Sequence, residues 1–136
     1  MPGWAARALE DLPLAADAAP GAPWFPLQHV FGFTAFGANV FVAGEPGRVL
    51  VEPHDERGSG QQELYLVLRG SAEFTLDDAT VTGPALFVVA VRDPGVLRSA
   101  IALEADTALL VLGGRPNDRF ESTWLPSHFE GVPRLL

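Results

Sequence analysis

The sequence predicts an all-β fold, an antiparallel sandwich or barrel, for most of this chain of 136 residues. From residue 27 onward, short apolar runs rich in β-branched and aromatic residues end at glycine, proline or aspartate. Turn signals recur roughly every 8 to 12 residues, a spacing typical of sandwiches and barrels rather than of alternating strands and helices. The runs are VFGFTAFGANVFVAG, RVLVEPH, ELYLVLRG, AEFTLDD, ALFVVAVRDPG and TALLVLGG.

Composition places the chain among single-domain globular proteins. Hydrophobic residues make up 48% and charged residues 19%, which is outside the range of disordered chains. The net charge is −8, and all 9 basic residues are arginines that form no cluster, which disfavours nucleic-acid binding. The absence of cysteine excludes disulfides and thiolate metal sites. We therefore expect small molecules or other proteins as partners.

The amino terminus does not resemble a targeting segment. Glu10, Asp11 and Asp17 interrupt the stretch that a signal peptide would need to keep apolar. No apolar run reaches the roughly 18 residues of a membrane-spanning helix. The sequence therefore predicts a cytoplasmic protein.

Three segments are expected along the chain. Residues 1–26, rich in Ala and Pro, predict an arm with a short helix over residues 5–9, since the prolines prevent a longer one. Residues 27–114 predict the β-barrel. Residues 115–136 predict a short tail packed on the barrel, where Trp124 joins Trp24 to cover a barrel face or bridge to a second subunit.

Two hairpins and one two-sided strand are predicted inside the barrel. Arg69 and Gly70 are expected to join the first pair of strands, and Asp77 and Asp78 the second. In the strand before Gly70, alternation places a mixed set of residues on one face and three leucines on the other. These sets are Glu63, Tyr65 and Val67, and Leu64, Leu66 and Leu68. Because both faces carry apolar residues, we expect an arm or a second subunit to cover the outer one.

The motif that identifies a family starts at His54-Asp55-Glu56 and continues through GQQELY, which contains Glu63, to Gly70. Together with the closing run VLGG, these segments resemble the small single-domain bacterial cupins. The resemblance implies an RmlC-like jelly roll, the cupin double-stranded β-helix. Small cupins commonly pair through a sheet face, so the resemblance also implies a homodimer.

Cupins hold a divalent metal through histidines and a glutamate, and the resemblance transfers only part of that set. It implies His54 as the first histidine, Glu56 in place of the second and Glu63 as the carboxylate. Arg98 stands where the last histidine is expected, and a guanidinium cannot ligate a cation. The other histidines, His29 and His128, lie far from this motif in the sequence.

Two functions remain open from the sequence. In the first, Arg98 and Glu63 form a buried ion pair. A small molecule, which can be an anion, then binds to Arg98, Tyr65, Gln61 and Gln62. This function needs no cofactor and no catalytic residue. In the second, the protein is a metal-dependent enzyme, dioxygenase-like or isomerase-like. His54, Glu56 and Glu63 then hold a weakly bound Fe, Mn, Zn or Ni ion.

Overall fold

The computed structural model describes residues 3–16 and 21–134, and these residues confirm the predicted all-β fold. In chain order the main elements are β1 (Trp24–Phe25), α1 (Leu27–Phe31), β2 (Gly37–Ala43), β3 (Val49–His54), β4 (Gln62–Arg69), β5 (Ser71–Leu76), β6 (Ala79–Pro84), β7 (Val88–Val91), β8 (Arg98–Ala102) and β9 (Thr107–Gly114). Two short 3₁₀ helices, Leu9–Asp11 and Pro126–Phe129, lie outside the barrel. No helix in the described ranges is long and apolar enough to cross a membrane.

The strands form two antiparallel sheets that enclose the core. One sheet has the order β1-β2-β9-β4-β7 and the other the order β3-β8-β5-β6. Alternation along the strands places Tyr65 and Val67 of β4 opposite Phe74 of β5, and each of these side chains is at most 2% exposed. The predicted inward face of β4 is therefore confirmed.

The hairpin predicted at Gly70 is wrong. Strand β4 pairs with β7 and β9, whereas β5 pairs with β6 and β8, so the chain crosses from one sheet to the other at this glycine. Gly70 has a φ of 76°, and a Cβ at this position would collide with Thr107 of β9. Glycine therefore marks a corner between the sheets here, and its turn signal is the same as that of a hairpin. The second predicted hairpin, β5 to β6, is present, with Asp77 at a φ of 51°.

A short helix replaces the first part of the segment predicted as strand. Helix α1 follows Pro26 and ends at Gly32, whose φ of 67° is typical of a helix terminus. It packs on β2 and buries Val30 completely. The helix therefore covers the β2 side of the outer face of the five-stranded sheet.

The rest of that outer face is apolar and open within the described chain. Its residues lie in register on β4, β7 and β9, as the pairs Leu64 with Ala90 and Leu66 with Leu110 show. Leu64, Leu68 and Val88 remain 37%, 39% and 51% exposed. We call the set Leu64, Leu66, Leu68, Val88, Ala90, Leu110 and Leu112 the outer apolar face.

Candidate functional site

A cavity of about 450 Å³ opens between the two sheets and the terminal segments. Two groups of side chains line it. The first group, which we call the polar cluster, consists of His54, Glu56, Glu63 and Tyr65. The second, which we call the aromatic cluster, consists of Trp24, Phe41, Trp124 and His128.

Strands from both sheets bring the polar cluster together. His54 is the last residue of β3 and lies in register with Arg98 of β8. Glu63 and Tyr65 are two residues apart on β4, so both point to the inner face. Strand pairing thus positions three of the four side chains, although the pairing of β3 with β8 shifts register just before His54.

The His54 ring is held between the backbone and two carboxylates. Its Nδ1 donates to the Glu52 carbonyl oxygen at 2.7 Å. Its Nε2 lies 3.2 Å from Glu56 Oε1 and 3.6 Å from Glu63 Oε1. The hydrogen bond to Glu56, followed by that to Glu63, raises the pKa of His54 from 6.5 to about 10. Without another cation at the site, the imidazole is therefore positively charged at neutral pH.

Glu56 comes from the loop after β3, and local hydrogen bonds hold it in place. Its backbone N–H donates to the Pro94 carbonyl at 2.8 Å, and the Ser59 hydroxyl donates to its carboxylate. The hydrogen bond from His54 lowers the pKa of Glu56. The loop therefore presents an ionised carboxylate to the cavity.

One carboxylate oxygen of Glu63 has both a hydrogen-bond donor and a cation beside it. The Tyr65 hydroxyl donates to Glu63 Oε1 at 2.6 Å, and Arg98 Nε lies 3.6 Å from the same atom. Burial, more than the neighbouring charge of Glu63, raises the pKa of Tyr65, so its hydroxyl stays protonated as a donor. The ion pair expected between Glu63 and Arg98 is present.

Arg98 lies below the cavity surface rather than on it. Its side chain is 1% exposed and does not contribute to the lining. Its Nε, Nη1 and Nη2 atoms have no hydrogen-bond partner among the described residues. The guanidinium therefore acts on the cavity through its charge and through Glu63, and direct ligand binding by Arg98 stays a prediction.

The two glutamines predicted beside the site separate to opposite sides of the sheet. Gln61 lines the cavity and is 8% exposed. Gln62 donates from its side chain to the Arg92 carbonyl at 3.2 Å and lies in a groove on the outer side. Of the four predicted ligand-binding residues, the structure therefore places Tyr65 and Gln61 at the cavity surface.

The donor set of the polar cluster fits a divalent metal ion. One ligand atom from each of His54, Glu56 and Glu63 can be chosen so that all lie within 4.8 Å of one another. One imidazole nitrogen and carboxylate oxygens suit first-row divalent ions. The hydrogen bond from His54 Nδ1 to a carbonyl leaves Nε2 as the ligand atom, an arrangement common among metal-binding histidines. Arg98, only 3.6 Å from Glu63, opposes a second cation by charge repulsion.

The sequence did not predict the aromatic cluster as part of a site. The Trp24 ring stacks on Trp124 at 4.6 Å and on Phe41 at 5.7 Å. His128 meets Trp124 edge-on at 5.1 Å. His29, by contrast, stacks on Phe129 at 4.6 Å and is not in the cavity lining. Only the aromatic enrichment of both terminal segments pointed to this contact between them.

Comparison with known proteins identifies the fold. No protein-family model and no curated protein sequence matches the chain. Among solved structures, KdgF from Halomonas sp. has a TM-score of 0.62 at 20% identity and covers 76% of this chain and 88% of its own. A sugar phosphate isomerase from a cupin superfamily, from Silicibacter pomeroyi, gives 0.63 at 18% identity, with 86% and 81% covered.

A third similar structure comes from a eukaryote. The cupin domain of Schizosaccharomyces pombe Cnp3 has a TM-score of 0.63 at 16% identity and covers 81% of this chain and 73% of its own. At such identities the likeness concerns the arrangement of strands, and fold alone does not fix function. The two sheets, the inward Glu63 and these structural relatives together show that the chain has the cupin jelly-roll fold.

Proposed function

We propose that this protein binds a small molecule in the cavity between its sheets. The observation that carries the proposal is a cavity of about 450 Å³ in which a polar cluster and an aromatic cluster line the same space. Pockets of roughly 300–1,000 Å³ that combine apolar walls with a few convergent polar groups are typical small-molecule sites. The polar cluster orients hydrogen-bonding groups of the ligand, and the rings contact its apolar part.

An anionic ligand requires a further positive charge at the polar cluster. Glu56 and Glu63 face the cavity, whereas Arg98 lies beneath its surface. A divalent ion held by His54, Glu56 and Glu63 would make the local charge positive and would attract a carboxylate or phosphate. We therefore propose that anions bind to the metal-loaded protein only.

A cavity-filling substitution tests small-molecule binding. Val111→Phe places a ring in the cavity, which Val111 lines, and Val88→Phe makes the same change on the outer apolar face. In a ligand-observed NMR screen of small ring compounds, we expect Val111→Phe to remove binding and Val88→Phe to retain it. Equal binding by both variants would place the ligand site elsewhere.

The second candidate function is a metal-dependent enzyme, and the ligand atoms of His54, Glu56 and Glu63 within 4.8 Å of one another favour it. A divalent ion at this position would supply Lewis-acid catalysis or an activated water. The residues of the chain would orient it, since Tyr65 and Arg98 fix Glu63 and the Glu52 carbonyl fixes His54.

Elemental analysis of protein purified without an affinity tag tests the enzyme hypothesis, which requires a bound metal ion. We expect stoichiometric Fe, Mn, Zn or Ni if the enzyme hypothesis holds, with loss of the metal in His54→Ala. His29→Ala is the matched control, because His29 stacks on Phe129 outside the cavity. A correctly folded protein that takes up none of these ions on titration would leave small-molecule binding as the function.

Assembly and location are also proposed. We infer a cytoplasmic homodimer that pairs through the outer apolar face, because its leucines form rows without a charged residue, as in stable homodimer interfaces. Light scattering tests the assembly: Leu64→Glu is expected to yield monomers. Leu103→Glu, at a similarly exposed position beyond β8, is expected to leave the dimer intact. A wild-type monomer would contradict the proposal.

A further inference from the structure

Part of the cavity is built by a segment that follows the last strand of the barrel. Four lining residues belong to this segment, and neither sheet contains them. They are Phe120, Thr123, Trp124 and His128. The cavity therefore loses part of its wall whenever the segment leaves the barrel.

Few backbone hydrogen bonds hold the segment in place. Phe120 N–H donates to the Thr34 carbonyl at 3.0 Å, and Ala16 N–H donates to the His128 carbonyl at 2.9 Å. Residues 121–127 between these points are exposed, as are residues 117–119 just before Phe120. Segments with many exposed residues and few hydrogen bonds open more readily than paired strands. These are properties of a segment that opens locally, before the sheets unfold.

Ring contacts supply further attachment, beside a hydrogen bond from the His29 ring to the Val132 carbonyl at 3.1 Å. Trp124 covers Trp24, which is only 2% exposed, by stacking at 4.6 Å. The Phe120 ring lies directly over Gly37 at the start of β2, where a Cβ would come within 2.5 Å of its Cζ atom. The absence of a side chain at Gly37 is thus a condition for the segment to dock.

We propose that residues 115–134 form a strap that completes the cavity, and that Trp124 on this strap selects ligands with a flat ring. The proposal rests on the small-molecule binding proposed above and specifies the class of ligand. Aromatic rings stack face to face with offset, and a planar ligand therefore gains more from an indole than a puckered one does. The hydroxyl or amino groups of such a ligand meet the carboxylates of the polar cluster.

The first experiment tests the strap without any ligand. Gly37→Ala displaces the Phe120 ring from the β2 side, and Phe120→Ala removes it from the strap side. Gly44→Ala is the control, since a Cβ at Gly44 meets no atom within 4 Å. All variants carry Trp4→Phe, because Trp4 is 71% exposed and would dominate quenching measurements.

Hydrogen exchange and acrylamide quenching report whether the strap is docked. In Gly37→Ala and Phe120→Ala we expect the backbone amide of residue 120 to exchange roughly tenfold faster and the quenching constant to rise, with Gly44→Ala unchanged. Unaltered exchange and quenching in both variants would overturn the strap. Loss of exchange protection throughout the strands as well would also overturn it, because the segment would then be part of the barrel's cooperative unit.

The second experiment tests the ring preference with benzyl alcohol and cyclohexylmethanol, which differ in the flatness of the ring. Saturation-transfer NMR is expected to show the wild-type chain binding benzyl alcohol several-fold more tightly, a preference lost in Trp124→Leu and retained in Trp124→Phe. An equal preference in wild type and Trp124→Leu would overturn the selection by Trp124. If the wild type binds both alcohols equally, small-molecule binding stands and the ring preference fails. If it binds neither at millimolar concentration, the ring preference fails too, and Val111→Phe then decides the proposed function.

Discussion

The two clusters that line the cavity differ in how the chain builds them. His54, Glu63 and Tyr65 stand on β3 and β4, where ladder hydrogen bonds fix the backbone. Trp24 belongs to the two-residue edge strand β1, and Trp124 follows the barrel altogether. The polar cluster is therefore built mainly by the barrel, while the aromatic cluster also needs Trp124 and His128, which lie outside both sheets. Changes in the polar cluster should affect global stability, and changes in the aromatic cluster should act locally.

Arg98→Leu is expected to have the largest effect. Removing one partner of a buried ion pair leaves the other charge uncompensated, which costs about 3–5 kcal/mol. We expect the free energy of unfolding in urea to fall by this amount. Arg92→Leu, at an exposed position, should change it by less than about 0.5 kcal/mol.

The double variant Arg98→Leu, Glu63→Leu separates the pair from the burial of the arginine itself. Replacing both charges by apolar groups should recover part of the lost stability, since neither charge then remains alone. If Arg98→Leu is as mild as Arg92→Leu, the polar cluster is not coupled to the barrel and the contrast between the clusters is lost.

Tyr65→Phe is expected to have the second largest effect. It removes only the hydroxyl that donates to Glu63 Oε1 at 2.6 Å. A hydrogen bond to a charged acceptor contributes about 1.5–3 kcal/mol, and chemical denaturation should show a loss in this range. In a Glu63→Gln background the same substitution should cost less. An equal cost in both backgrounds would mean that the hydroxyl contributes through packing alone.

The sequence predicted the polar cluster better than the aromatic one for a physical reason. Period-two alternation on β4 places Glu63, Tyr65 and Val67 on one face whatever the rest of the chain does, so their inward direction is a local property. The contact of Trp124 with Trp24 joins residues far apart in the sequence, and no period links them. The sequence predicted that Trp24 and Trp124 would cover a barrel face or bridge to a second subunit, but not that they would line a cavity.

The same distinction between local and long-range contacts explains where the predicted fold was wrong. Gly70 signalled a turn correctly, but a hairpin and a corner between two sheets both need a residue with positive φ, and only the pairing partners distinguish them. The sequence also predicted that Arg98 lies beside Glu63, as it does. Its position beneath the cavity surface depends on the packing of β8 against both neighbours, which alternation does not determine.

Trp124→Ala is expected to cost less than the changes above, about 1 kcal/mol, the value of a stacked aromatic pair. The strap can leave while the sheets remain, so the loss is limited to its own attachment. Combined with Tyr65→Phe, the two costs should add within about 0.5 kcal/mol because the residues share no ring contact or hydrogen bond. Strong non-additivity in urea unfolding would show that the clusters form one unit.

The smallest effect concerns pH and tests the polar cluster alone. With divalent ions removed by a chelator, His54 faces Glu56, Glu63 and the buried Arg98, and its hydrogen bonds to the two carboxylates raise its pKa from 6.5 to about 10. A raised pKa in the folded state stabilises the protein fully below pH 6.5, and this contribution decreases as the pH rises toward 10.

The difference in unfolding free energy between wild type and His54→Gln should therefore decrease as the pH rises from 6.5 to 10. It should stay small, because the imidazole is 36% exposed and its charge is partly screened. An NMR titration of the His54 ring checks the same point directly. A midpoint near pH 6.5 would mean that Glu56 and Glu63 do not stabilise the protonated His54 ring. The side chains of the polar cluster would then not be held together by hydrogen bonds, and the contrast with the strap would be lost.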